Sequence, residues 1–201
     1  MEYFEYRGVD NLVYAEVTED STANYTTGEV KILSPVAEIA KTTEVNSETK
    51  YYDNKPLLVN YAEGVDTLTI TCIPLELKIL AEITGKQFDE ATGTMINGIR
   101  ENNKYFAIGY RTKGTDHKHR YVWRYKGSFS IPDETFATET AGIETNNMTL
   151  TYNGIVPTHV FTKGGSVRDI TVDERYDKVD VSKFFEEVVT PDTLTAKTTT
   201  T

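Results

Sequence analysis

Between Asp66 and Ile73 the chain alternates threonine with apolar residues. Thr67, Thr69 and Thr71 fall on one side of an extended strand, and Leu68, Ile70 and Cys72 on the other. A segment with a period of two carries no helical stripe, so it can bury itself only as a strand with one polar and one apolar face. The pattern recurs. Residues 104–112 put Phe106, Ile108 and Tyr110 on one side, and residues 119–129 put Tyr121, Trp123 and Tyr125 opposite Val122, Arg124 and Lys126. The connection between them, Lys113-Gly114-Thr115-Asp116-His117-Lys118, is polar and contains glycine, which predicts a hairpin. Further strands are expected at 11–17, 30–39, 57–61, 148–152 and 167–172, with Asn153-Gly154 and Gly164-Gly165 as turns. The 31 threonines suit this reading, because a β-branched side chain is stiff at χ1 and favours strands over helices.

One helix interrupts the strands. Pro74 opens it, Leu75, Ile79 and Ile83 form an apolar stripe that Leu80 widens, Glu76 sits in the first turn, and Thr84-Gly85 ends it. A helix this short is marginal alone, so its stripe must lie against a sheet. The expected fold class is α+β, mainly β, with an antiparallel β-sandwich or partial barrel flanked by one short α-helix at 74–84. Two stretches read as extensions of a single domain spanning 1–180. Residues 40–55 are mostly Thr, Glu, Asn, Ser and Lys, which predicts a long polar loop. Residues 181–201 form a C-terminal arm: a short helix over 181–189 carrying Phe184, Phe185 and Val188, then a threonine-rich tail.

Composition excludes several classes. No apolar run approaches the ~20 residues that span a bilayer. The acidic start, Met1-Glu2-Tyr3-Phe4-Glu5, is unlike a signal peptide, and a reducing cytoplasm is the expected site of synthesis. The single cysteine, Cys72, forbids an internal disulfide and a cysteine-rich zinc site, and its place beside Leu68 and Ile70 predicts a buried structural thiol. The net charge of −10 argues against gripping nucleic acid with the whole surface. That charge is uneven, at −7 over 1–63, +3 over 64–129 and −6 over 130–201, which suits head-to-tail self-association or is simple variation along a surface.

No enzyme finds a foothold. His117-Lys118-His119 could ligate a metal on a strand, but it lies in the expected hairpin turn with only Asp116 nearby. His159 has no partner in sequence, the acidic pairs Asp89-Glu90 and Asp133-Glu134 carry no further catalytic pattern, and no Walker A, GxGxxG or GxSxG motif occurs. The Tyr121, Trp123 and Tyr125 face, flanked by Lys118, Arg120, Arg124 and Lys126, could stack bases or sugars, or could be core or a subunit interface. The expectation is a non-enzymatic protein with no cofactor and no metal.

The ordered series of segments resembles the major tail proteins of siphovirus-type bacteriophages, which build the tube of long non-contractile tails. The resembling segments are Gly8-Val9-Asp10-Asn11-Leu12-Val13-Tyr14-Ala15, Tyr52-Asp53-Asn54, Gly64-Val65-Asp66-Thr67-Leu68-Thr69-Ile70 before the helix and Gly85, and Phe106-Ala107-Ile108-Gly109-Tyr110. They continue with Arg120-Tyr121-Val122-Trp123-Arg124-Tyr125-Lys126-Gly127-Ser128-Phe129, Glu134-Thr135, and Ile143-Glu144-Thr145-Asn146-Asn147-Met148-Thr149-Leu150, together spanning about residues 8–152.

The resemblance implies a virion structural protein, made in the bacterial cytoplasm, that self-assembles into stacked hexameric rings. Its implied partners are further copies of itself, a tape-measure protein, tail-terminator and distal tail or baseplate proteins. Genomic DNA passes through the lumen without specific binding, and no membrane is involved. The 40–55 loop and the 181–201 arm, too polar for a core yet long enough to reach out, are expected to bridge neighbouring rings, which makes Thr42, Thr43, Tyr51, Tyr52, Asp53, Phe184 and Phe185 the candidate self-assembly residues. Thr67, Thr69 and Thr71 are candidates for the lumen or for an intersubunit face. The alternative is a carbohydrate- or surface-binding β-sandwich using Trp123 and its tyrosines.

Overall fold

A computed structural model of the chain describes residues 3–99, 104–133, 138 and 146–197. Among the described residues, eleven strands and one α-helix follow in the order β1 (Tyr6–Asp20), β2 (Tyr25–Thr27), β3 (Lys31–Ile32), β4 (Val36–Tyr52), β5 (Lys55–Cys72), α1 (Leu77–Thr84), β6 (Gln87–Asp89), β7 (Thr94–Ile96), β8 (Phe106–Gly114), β9 (His119–Phe129), β10 (Met148–Ile155) and β11 (Asp169–Asp173). The main sheet is antiparallel with the order β2-β1-β8-β9-β10-β5-β4, while β11 pairs with β9 and β3 with β1. The small hairpin β6–β7 stands apart. The fold is therefore mainly β with one short helix, as the alternation predicts.

Strand β9 divides the interior in two, because its alternating side chains enter different cores. On one face Val122 joins Leu68, Ile70 and Cys72 of β5, Phe106, Ile108 and Tyr110 of β8, Leu150 and Tyr152 of β10, and Leu12 and Tyr14 of β1. Helix α1 closes this core with Ile83, and Leu75 and Ile79 pack beside it. On the opposite face Tyr121, Trp123 and Tyr125 gather with Val13, Ala107, Phe161, Val172 and Phe184. Gly109 of β8 permits this second layer, since a Cβ there would lie 3.0 Å from the indole of Trp123.

The helix begins later than its apolar stripe suggests. Glu76 has an extended backbone and serves as the N-cap residue, so no acidic side chain occupies the first turn. Its carbonyl accepts the first helical bond, from Leu80 N–H. The C-terminus ends as expected, on Gly85 in the left-handed region at φ 68°.

The structure corrects three further expectations. Residues 40–55 are not a loop: they are the outer part of β4 and its turn, paired residue by residue with β5. Asn153-Gly154 is not a turn but lies inside β10, paired with both β5 and β9. Residues 181–189 form turns instead of a helix, and the C-terminal segment is not an outstretched arm.

That segment is a strap folded over the second core. Phe184 is 1% exposed, and Phe185, Val188, Val189 and Leu194 pack against the cluster. Trp123 Nε1 donates to the Phe184 carbonyl at 2.8 Å, and the Tyr125 hydroxyl donates to the Val189 carbonyl at 3.2 Å. Asp192 holds the far end by accepting from the backbone N–H groups of Thr162 and Lys163. The strap forms because Tyr121, Trp123 and Tyr125 expose too much apolar surface to leave a sheet face bare. Phe184→Ala should therefore cost about 3–5 kcal/mol and red-shift the fluorescence of Trp123. Urea denaturation checks the first effect; an unchanged midpoint would mean that the strap stabilises nothing. The terminal residues 198–201, Glu134-Thr135 and Ile143-Glu144-Thr145 lie outside the described residues.

Candidate assembly surfaces

The β4–β5 hairpin is paired from Val36 and Cys72 at its base to Tyr52 and Lys55 at its tip. Only its base belongs to the core. From Thr43 to Tyr52, at ~3.3 Å per residue, the hairpin extends about 30 Å, and β4 and β5 pair there only with each other among the described residues. Asp53 and Asn54 close it with φ of 49° and 62°, the two positive values a type I′ turn needs and which Asp and Asn tolerate.

The register makes this arm two-faced. Val45, Ser47 and Thr49 oppose Glu63, Tyr61 and Val59 on one side, while Asn46, Glu48 and Lys50 oppose Ala62, Asn60 and Leu58 on the other. The first side is the more apolar, through Val45, Val59 and Tyr61. Near the tip a bulge at Leu57 breaks the register between Lys50 and Tyr51. The apolar side chains are unburied: Tyr61 is 73% exposed, and Tyr51 and Leu57 are each 67% exposed. The arm therefore carries exposed tyrosine, leucine and valine side chains on a strand pair that stands outside both cores.

Four of the residues that sequence singles out for self-assembly, Thr42, Thr43, Tyr51 and Tyr52, are on β4, with Asp53 in the turn between the strands. Phe184 and Phe185 are elsewhere, in the strap contact: Phe184 is corrected to a buried core residue, and Phe185 is partly buried against the same cluster. Leu57, Leu58, Val59 and Tyr61 belong to the arm but were not among those candidates. Their signal is the Tyr52-Asp53-Asn54-Lys55 turn, which places a second strand opposite the first.

Thr67, Thr69 and Thr71 lie on the face of β5 turned away from the first core, Thr69 exposed and the other two half-buried. Register adds Thr149, Thr151 and Asn153 of β10 on one side, and Glu38, Ala40 and Thr42 of β4 on the other. The result is a wall of mostly short, uncharged side chains across three strands, with the carboxylate of Glu38 at one edge. Thr67 Oγ1 donates to Asn153 Oδ1 at 3.3 Å within it.

Where the arm leaves the body, a buried charge cluster forms on Asp66, which is fully buried. Arg124 donates to Asp66 Oδ2 at 2.7 Å, Arg168 to Oδ1 at 2.8 Å, and the hydroxyl of Thr43 to Oδ1 at 2.7 Å. The Lys41 ammonium stands 3.5 Å away. Arg168 also donates to the carbonyl of Gly64 at 2.8 Å. Burial pushes the Asp66 carboxyl up, but the Thr43 hydrogen bond and the Arg124, Lys41 and Arg168 charges outweigh it and hold it below the ordinary carboxylate value. The cluster joins β4, β5, β9 and the segment before β11 at the root of the arm.

The other sequence candidates are structural. His117 sits in the β8–β9 turn at φ 62°, and His119 is bonded through Nδ1 to Glu174 at 3.0 Å. Among the described residues no group of three or more His, Cys, Asp and Glu side chains could hold a metal ion. Cys72 is buried as expected, with its thiol pushed up by burial. No helix among the described residues is long and apolar enough to cross a membrane. Compared with known proteins, the chain matches no family model, and no curated protein matches it.

Proposed function

We propose that the chain is a structural subunit that assembles with copies of itself into stacked hexameric rings, forming the tube of a long non-contractile phage tail and the conduit for its DNA. The observation that carries this reading is the arm: a long paired hairpin with exposed Tyr51, Leu57, Val59 and Tyr61 has the chemistry of a contact surface, and among the described residues its outer part pairs with no other strand. The threonine wall supports it further. A face of short polar side chains that carries no cation and one carboxylate, Glu38, at its edge suits a lumen that a polyanion must traverse without sticking, and equally a wet contact between subunits. In this reading the protein is not an enzyme. A tape-measure protein occupies the lumen during assembly, and terminator and distal tail proteins cap the two ends.

The glycan-binding alternative gains nothing from Trp123, which is buried beneath Phe184 and Phe185. Negative-stain microscopy of the purified protein over rising concentration tests the proposal. Rings or tubes are expected; a strictly monomeric protein at every concentration, alone or with tail partners, would refute it.

A further inference from the structure

The dipeptide Asn-Gly occurs at 97–98 and again at 153–154, and the fold puts the two copies in opposite settings. Asn97-Gly98 follows β7, outside any strand, and both residues are exposed. The Gly98 N–H donates to the Ile96 carbonyl at 3.0 Å, a local bond across a three-residue turn. Among the described residues the Asn97 carboxamide has no hydrogen-bond partner. Asn153-Gly154 lies within β10, where Gly154 sits between Asp66 of β5 and Gly127 of β9. There the carboxamide is held at both ends: Asn153 Oδ1 accepts from the Thr67 hydroxyl at 3.3 Å, and Nδ2 donates to Ser130 Oγ at 3.2 Å.

We propose that Asn97 is a self-modification site, converting to aspartate and isoaspartate in the folded protein, while the sheet holds Asn153 unreactive. The Gly98 backbone nitrogen loses its proton to solvent base and attacks the side-chain carbonyl carbon of Asn97. The new C–N bond closes a succinimide ring, and the carboxamide nitrogen takes up a proton and leaves as ammonia. Water then opens the ring. Attack at the side-chain carbonyl leaves aspartate in an unchanged main chain, and attack at the main-chain carbonyl leaves isoaspartate. Water is the only co-reactant, and nothing is oxidised or reduced. Glycine favours the closure, since without a Cβ its nitrogen is unshielded and its backbone is free to turn. In β10 the same closure would break the two side-chain bonds of Asn153 and the pairing of Gly154. The product at 97 sets a carboxylate in the depression that Asn97 shares with Lys86, whose ammonium donates to the Gly98 carbonyl at 2.5 Å. Isoaspartate also lengthens the main chain by one carbon at the exit from β7.

Peptide mass mapping tests the proposal on the intact, folded chain. The protein is aged in mildly alkaline buffer made with oxygen-18 water and then digested in ordinary water, so the label marks only conversions completed before digestion. Asn97 should convert about a hundredfold faster than Asn153, because opening a core strand draws on much of the global stability. In urea, where neither site is structured, the two rates should converge. Gly98→Ala isolates the chemistry: its new Cβ meets nothing within 4 Å, so the fold should stand. The added methyl crowds the attacking nitrogen and should slow conversion at Asn97 by about tenfold. Equal rates at the two sites in the folded protein would overturn the proposal. So would a difference that persists in urea, or undiminished conversion in Gly98→Ala.

Discussion

Replacing residues 46–62 with Asn-Gly is expected to leave a folded body and to abolish rings and tubes. Val45 and Glu63 are directly paired, so after excision they flank a two-residue turn of the sequence that type I′ geometry prefers. Every residue removed is exposed, and neither core loses a side chain. The body should therefore melt within a few degrees of the intact chain. Assembly should fail outright, because the variant loses Tyr51, Tyr52, Leu57, Val59 and Tyr61 together, and aromatic anchors dominate most interfaces. Sedimentation and negative-stain microscopy read the outcome. Unshortened tubes from the excised protein would remove the arm from the assembly mechanism. If the excised chain does not fold, Tyr51→Ser combined with Tyr52→Ser decides the matter: it leaves the hairpin paired and should raise the concentration needed for assembly at least tenfold, whereas unchanged assembly would again exclude the tip.

The strands that face a core are legible in sequence because burial imposes a period of two. Leu68, Ile70 and Cys72 fall on one face as expected, and so do Tyr121, Trp123 and Tyr125. The outer part of β4 was hidden for the same reason. Its side chains meet solvent on both faces, so no core selects an apolar alternation, and its extended form is imposed by pairing with β5. Phe184, Phe185 and Val188 have helical spacing, yet tertiary packing overrides it, because the chain must cross the Trp123 face and bond its indole N–H. The charge cluster was beyond reach altogether. Asp66 looks like the polar start of a strand, and its arginine partners lie 58 and 102 residues away.

That cluster should be the most sensitive point in the body. Asp66→Ala leaves Arg124, which is 4% exposed, without its main counter-charge, and breaking a buried ion pair from one side costs about 3–5 kcal/mol. Asp66→Asn retains hydrogen-bonding atoms and should lose less. Pairing Asp66→Leu with Arg124→Met should cost less than the two single changes added, since the residues belong to one network. The pH dependence has a definite sign. The folded carboxyl is held below the ordinary value of 3.8, so the unfolded chain takes up the proton first as the solution is acidified. The stabilisation from Asp66 is complete above the ordinary carboxylate range and is lost as pH falls through the lower native value. Asp10, Asp20 and Asp173 are lowered as well, so the test is the difference between intact protein and Asp66→Asn, whose stability should fall less steeply on acidification. Urea midpoints between pH 3 and pH 7 measure it, and parallel curves would show that Asp66 carries no charge-dependent stability. Because Thr43, Gly64 and Asp66 are also where the arm meets the body, amide exchange along residues 44–63 should quicken in Asp66→Ala before the body unfolds. Protection unchanged there would separate the cluster from the arm and leave it a purely internal brace.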